Sequence, residues 1–181
     1  KKILTKWGMV ECFVLFFIHL GTRRVFLGGV TQNPDGPWMA RQARNLCICA
    51  EELAEKPTIL IRDGDKKFTE QFDAILESEG IESKKLPAHS PNLNAYAERW
   101  VQSFKVECLD HFMVFGEEHL RYIAQCYADF YNRLRPHQAM GNETLMGERP
   151  PPIDEGKFDP KKVERQPILG GLLNHYTYKA A

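Results

Sequence analysis

The sequence predicts an α/β domain built on a mixed five-stranded sheet with helices on both faces. Three observations lead there. Apolar runs rich in Val, Phe, Leu and Ile open the chain with only short turns between them. Amphipathic stretches at helical spacing then alternate with short β-rich runs. Clusters of Asn, Pro, Asp and Gly punctuate the junctions.

Each element has its own signal. Ile3 to Trp7 reads as a short strand, Met9 to Leu20 as a strand buried on both faces, and Arg23 to Thr31 as a third. The short connections imply antiparallel hairpins. Asn33-Pro34-Asp35-Gly36-Pro37 is a turn that also opens a helix, with Asn33 or Asp35 as cap and Pro37 in the first turn. Met39, Ala43, Leu46, Ala50 and Leu53 give that helix one apolar stripe, and Lys56-Pro57 ends it. Thr58 to Arg62 is a strand after a crossover helix, which suggests parallel pairing with an earlier strand. Phe68 to Ser78 is the next helix, stopped by Gly80, and Ile81 to Leu86 is the fifth strand. Two long amphipathic helices follow. One runs through Leu93, Ala97, Trp100, Val101, Phe104 and Cys108; the other runs through Leu120, Ile123, Ala124, Tyr127, Phe130, Tyr131 and Leu134.

Pro150-Pro151-Pro152 marks a boundary between a core at residues 1–149 and a tail at 150–181 that is expected to pack loosely. Trp7, Trp38 and Trp100 are expected to be packing aromatics.

Composition narrows the function classes. The chain has 181 residues and a formal net charge of zero, so tight DNA affinity cannot come from bulk charge. The Val10 to Leu20 stretch carries Glu11 and His19 and is too short to span a bilayer, so a soluble, cytoplasmic protein is expected. Arg23-Arg24, rather than a small-residue cleavage site, follows that stretch. The five cysteines form no Cys-x-x-Cys pair, and the histidines are scattered. Reduced buried thiols are therefore expected, not a zinc site or disulfide framework.

The chemistry-bearing pattern is a pair of carboxylates. Asp63 ends the apolar run Ile59-Leu60-Ile61-Arg62, and Glu98 lies near the start of a long helix. Phe68 follows Asp63 by five positions, and Asn94-Ala95 precedes Glu98. Lys105-Val106-Glu107 stands beyond it, and Tyr131-Asn132 with Arg135-Pro136-His137 comes later. In this order and spacing the motifs resemble the integrase core domain of insertion-sequence transposases and retroviral-type integrases, the DDE polynucleotidyl transferases, over residues 7–148. The element order is also the layout of the ribonuclease-H-like fold.

The resemblance implies metal-dependent DNA cleavage and strand transfer. Asp63 and Glu98 would be catalytic and would ligate Mg²⁺ or Mn²⁺, the hard cations that carboxylates suit. Asn94, Lys105, Arg135 and His137 would contact DNA, and Glu98, Gln102 and Lys105 share one helix face. His89 and Ser90 fall in the loop before that helix. Joining two DNA ends implies a homo-oligomer.

Two departures stand out. The family often has Gly where this chain has Asp65, so Asp65 competes with Asp63 as ligand; the aromatic spacing favours Asp63. The family's first Asp lies on the first strand, yet Lys1 to Trp7 contains no acid. Glu11 is a poor substitute, and truncation just upstream of Lys1 is the expected account. An alternative is a degenerate core that binds DNA without catalysis.

Overall fold

The computed structural model describes residues 1–87, 94–147 and 158–179. His89, Ser90 and the Pro150-Pro151-Pro152 boundary lie outside the described residues.

A first hairpin pairs β1 (Lys2–Thr5) with β2 (Gly8–Glu11), and a second pairs β3 (Phe13–Ile18) with β4 (Val25–Thr31). Helix α1 (Gly36–Glu51) follows, capped by Asp35, whose carboxylate accepts from the Trp38 N–H at 2.9 Å. It buries Met39, Ala43, Cys47 and Ala50. Gly29 of β4 lets it approach, since a Cβ there would meet the Trp38 ring at 3.0 Å. β5 (Ile59–Arg62), α2 (Glu70–Ser78) and β6 (Glu82–Lys85) form a βαβ unit in which β5 and β6 pair in parallel. Helices α3 (Ala95–Glu107) and α4 (Gly116–Arg133) complete the α/β body.

The core has two parts. α3, α4, β1 and β4 enclose Ile3, Val30, Trp100, Phe104, Leu120, Ile123 and Tyr127. α1, α2 and β3 enclose Phe17, Met39, Ala43, Phe72 and Leu76.

Three expectations need correction. The run Met9 to Leu20 is two strands, because pairing changes hands at Cys12: β2 pairs with β1 and β3 with β4. The described strands form four separate two-stranded ladders rather than one five-stranded sheet. Among the described residues β3 pairs only with β4 and β5 only with β6, and a cavity of about 630 Å³ borders both. The tail is not uniformly loose. β7 (Val163–Ile168) and β8 (Leu173–Tyr178) form an antiparallel hairpin, and Leu173 is buried in the main core with Ile168, Leu169 and Leu172 against it.

Of the three tryptophans, Trp100 is buried, whereas Trp7 is 84% exposed because it sits in the turn between β1 and β2. The cysteines are unpaired, with Cys12, Cys47 and Cys108 buried. Burial pushes the Cys108 thiol up to about 12, so it is a packing group and not a nucleophile.

Candidate functional site

Asp63 leaves the end of β5, and Arg62 fixes that strand end. The Arg62 guanidinium donates to both Asp73 oxygens on α2, at 3.2 and 2.7 Å, and to Ser83 Oγ on β6 at 3.0 Å. It also lies 5.2 Å from the centroid of Phe68, which packs edge-on against Phe72. The aromatic five residues after Asp63 is therefore a structural part: it shields the arginine that anchors the turn.

The turn separates the two candidate acids. Lys67 bonds the Asp65 carboxylate twice, from Nζ at 2.8 Å and from its backbone N–H at 3.0 Å, and these bonds hold Asp65 below the usual carboxylate range. Among the described residues the Asp63 carboxylate accepts only the Asp65 N–H, at 3.2 Å. Both acids are exposed, and among the described residues Asp63 is the one without a counter-cation.

On α3, Trp100, Ser103 and Phe104 face the core, while Glu98, Gln102 and Lys105 are all exposed, as the helical spacing predicts. Among the described residues neither Glu98 nor Lys105 has an ion-pair partner. Asn94 stands at the N-cap position with no side-chain capping bond, and lines the same cavity as Asp63, Asp65, Tyr96 and Ala97. Glu98 is not among the residues lining that cavity. No group of three metal-capable side chains occurs among the described residues. Asp63 thus follows the end of β5, and Glu98 lies on the exposed face of α3.

The later motifs turn out to be fastened to one another. Glu107 accepts from Arg135 Nη2 at 2.6 Å and Nε at 2.9 Å, and from the Tyr127 hydroxyl at 2.9 Å. Burial pushes Glu107 up, but the bonds from Arg135 and Tyr127 outweigh it and hold the carboxyl below its ordinary value. The Asn132 side chain bonds the backbone of Val25 both ways, at 2.9 and 2.8 Å, so it acts as a strand partner for the start of β4. His137 donates Nε2–H to the Tyr131 carbonyl at 2.8 Å, and burial holds its pKa below the ordinary value.

These shifts fix a pH dependence. Below about 6.5 the unfolded chain takes up a proton that folded His137 resists, and below about 4.3 it takes up one that folded Glu107 resists. Both make stability fall with acid, in two successive windows. Urea midpoints measured between neutral pH and pH ~2.5 should decline in both, and Glu107→Gln should flatten the lower one.

A second cavity, of about 570 Å³, is lined by Arg23, Tyr96, Arg99, Tyr131, Arg135 and His137 among others. Ile18 and Tyr96 line both cavities, so the second adjoins the carboxylate-bearing one. Arg23 lies in the turn between β3 and β4 with φ of 63°, a left-handed conformation unusual for a residue with a side chain. Its guanidinium sits 4.0 Å over the Tyr96 ring. Among the described residues Arg23 and Arg99 have no carboxylate partner. Sequence reasoning passed over Arg23, Tyr96 and Arg99, because nothing in the spacing brings the β3–β4 turn to the first turns of α3.

Residues 79–144 match the family model described as an integrase core domain. No curated protein matches the chain. Among solved structures the chain is similar to one in the cryo-EM structure of the simian T-cell lymphotropic virus intasome in complex with PP2A regulatory subunit B56 gamma. The TM-score is 0.58 at 15% identity, over 99% of this chain and 64% of that one. The matched stretch and the likeness of fold agree with an integrase-type core of ribonuclease-H-like α/β architecture. No helix among the described residues is long and apolar enough to cross a membrane.

Proposed function

We propose that this chain is a DNA-binding core of the integrase and transposase type, with Asp63 and Glu98 as two carboxylates of a strand-cleavage and strand-transfer site. The observation that carries the reading is the cavity bearing Arg23 and Arg99, which adjoins the cavity bearing Asp63 through the shared Tyr96. The motif match over residues 79–144 supports it. DNA phosphates would lie along Arg23 and Arg99 and along the exposed face with Lys105, a local cationic path on a chain of zero net charge. Asn94 would meet the strand beside Asp63. Arg135 and His137 would form the wall of the path, since Glu107 offsets the charge of Arg135 and burial keeps His137 neutral. Acting on two DNA ends would call for more than one copy.

Asp63 and Glu98 are the oxygen ligands that Mg²⁺ or Mn²⁺ would take. The residues present do not make a fit: the described residues bring no third ligand to them. That observation favours a second reading for this polypeptide by itself, a core that binds DNA without cutting it.

The test is fluorescence anisotropy on a short duplex across a salt series. Arg23→Ala with Arg99→Ala should weaken binding at least tenfold and lower the salt slope by about 2, one phosphate contact for each arginine. Asp63→Asn should bind as well or better, since it removes a like charge from the path. Equal binding by the double variant, or no binding at low salt, refutes the DNA path. Mn²⁺-dependent nicking by the unaltered chain, lost in Asp63→Asn, would overturn the non-cutting reading.

A further inference from the structure

We infer that Lys85 is a further DNA-contacting residue, which holds a backbone phosphate of the strand that comes to Asp63. The inference rests on the proposed function and adds a contact outside both cavities. The packing at Gly64 and the charge balance at the ends of β5 and β6 carry it.

β5 and β6 run in parallel with Arg62 paired to Lys85, and the Leu86 N–H donates to the Arg62 carbonyl at 2.8 Å. Lys85 therefore leaves β6 level with the residue before Asp63. Its side chain then crosses the turn that follows Asp63. A Cβ on Gly64 would stand 2.8 Å from Lys85 Cε and 3.5 Å from Lys85 Nζ. Gly64 is not among the glycines of positive φ, so the backbone does not demand glycine there. What its missing side chain provides is room for the lysine stem. The stem, so placed, lays the ammonium over the residue next to Asp63.

The neighbouring cations are spoken for. Arg62 is paired with Asp73, Lys67 with Asp65 and Lys84 with Glu82. Among the described residues Lys85 has no carboxylate partner. Lys66 shares that lack, and Lys85 is the one laid over Gly64. Arg62 and Lys85 are like charges at paired positions, and an anion beside Lys85 would offset their repulsion. A DNA phosphate meets the opposite difficulty, because the Asp63 carboxylate repels it. Lys85 offsets that repulsion where the strand passes closest to Asp63. Its ammonium is a point charge on a flexible stem, suited to following a phosphate rather than fixing a base.

The experiment is anisotropy on the same short duplex across a salt series, with urea midpoints for each protein. Lys85→Met should weaken binding about threefold or more and lower the salt slope by about 1, and Lys85→Arg should restore both. Gly64→Ala should weaken binding by a similar factor by displacing the ammonium. Its urea midpoint should stay in place, since only the tail of a flexible side chain must move. Added to Lys85→Met, Gly64→Ala should do nothing more. Unchanged binding by Lys85→Met, or a loss that leaves the salt slope unaltered, overturns the contact. So does a Gly64→Ala loss that persists in full beside Lys85→Met. If Arg23→Ala with Arg99→Ala weakens binding while Lys85→Met does not, the Lys85 contact fails and the proposed function stands. No binding by the unaltered chain at low salt overturns both.

Discussion

Glu107→Ala is expected to lower unfolding stability by about 3 kcal/mol, at the low end of what breaking a buried ion pair costs. The low end applies because the pair is not sealed: the side chains of Arg135 and Glu107 are 24% and 31% exposed. Alanine removes the acceptor for three hydrogen bonds at once. It leaves the Arg135 guanidinium without its counter-charge and the Tyr127 hydroxyl without an acceptor, on a residue with no exposed surface. Glu107→Gln should cost about half as much, since its carbonyl still accepts a bond while the charge is lost. Replacing both partners by apolar residues, Glu107→Leu with Arg135→Met, should recover most of the loss. Chemical denaturation of the unaltered chain, Glu107→Ala, Arg135→Ala and the double alanine variant, read as a double-mutant cycle, checks this, with Glu107→Gln and the apolar pair measured alongside. Additive losses from Glu107→Ala and Arg135→Ala would mean that the two do not act together.

The consequence reaches the candidate site. Glu107 ends α3, Tyr127 is on α4, and Arg135 lies just beyond α4. Their network fixes the end of the helix that carries Glu98, Arg99 and Lys105. Glu107→Ala should therefore also weaken DNA binding under conditions where the chain remains folded, with the salt slope nearly unchanged because no phosphate contact is removed.

Much of this was legible in the residues, and the failures have physical causes. The Asp35 cap, the stripe through Met39, Ala43 and Ala50, and the stripe through Leu120, Ile123, Ala124, Tyr127 and Phe130 appear where periodicity places them, because helix signals are local. The break at Cys12 was not legible, since an apolar run looks the same whether it keeps one partner or changes partners. The C-terminal hairpin escaped notice for a related reason. Val163–Ile168 is largely polar and contains Pro167, and the turn depends on Gly170 and Gly171 at φ of 69° and 92°. Its hold on the body comes from Leu173 in a distant core. The motifs marked Asn132 and Arg135 as important but not why: their partners, Val25 and Glu107, lie 107 and 28 positions away. The cationic cavity was missed because Arg23 reaches Tyr96 only through the folded β3–β4 turn.

Trp100→Ala should be as damaging as any single change in the chain, at about 3–5 kcal/mol. The indole is 1% exposed and lies 4.1 Å from the Phe16 ring of β3, 5.2 Å from Phe104 and 6.3 Å from Tyr127 of α4, so it packs α3 against both a strand and the next helix. Trp100→Phe should cost much less. It keeps an aromatic in the cluster, and it removes an indole N–H that is buried with no acceptor among the described residues. Tyr96→Ala provides the contrast. Tyr96 is on the same helix but is 42% exposed, and its ring supports Arg23. Its removal should cost under about 1 kcal/mol of stability yet weaken DNA binding by releasing the Arg23 guanidinium. Thermal unfolding and anisotropy on the three variants separate the two faces of α3. The buried face should move stability first, and the exposed face should move binding alone. A Tyr96→Ala protein that binds DNA normally would remove Arg23 from the DNA path, and a Trp100→Ala protein of normal stability would mean that α3 is held by something other than its aromatic face.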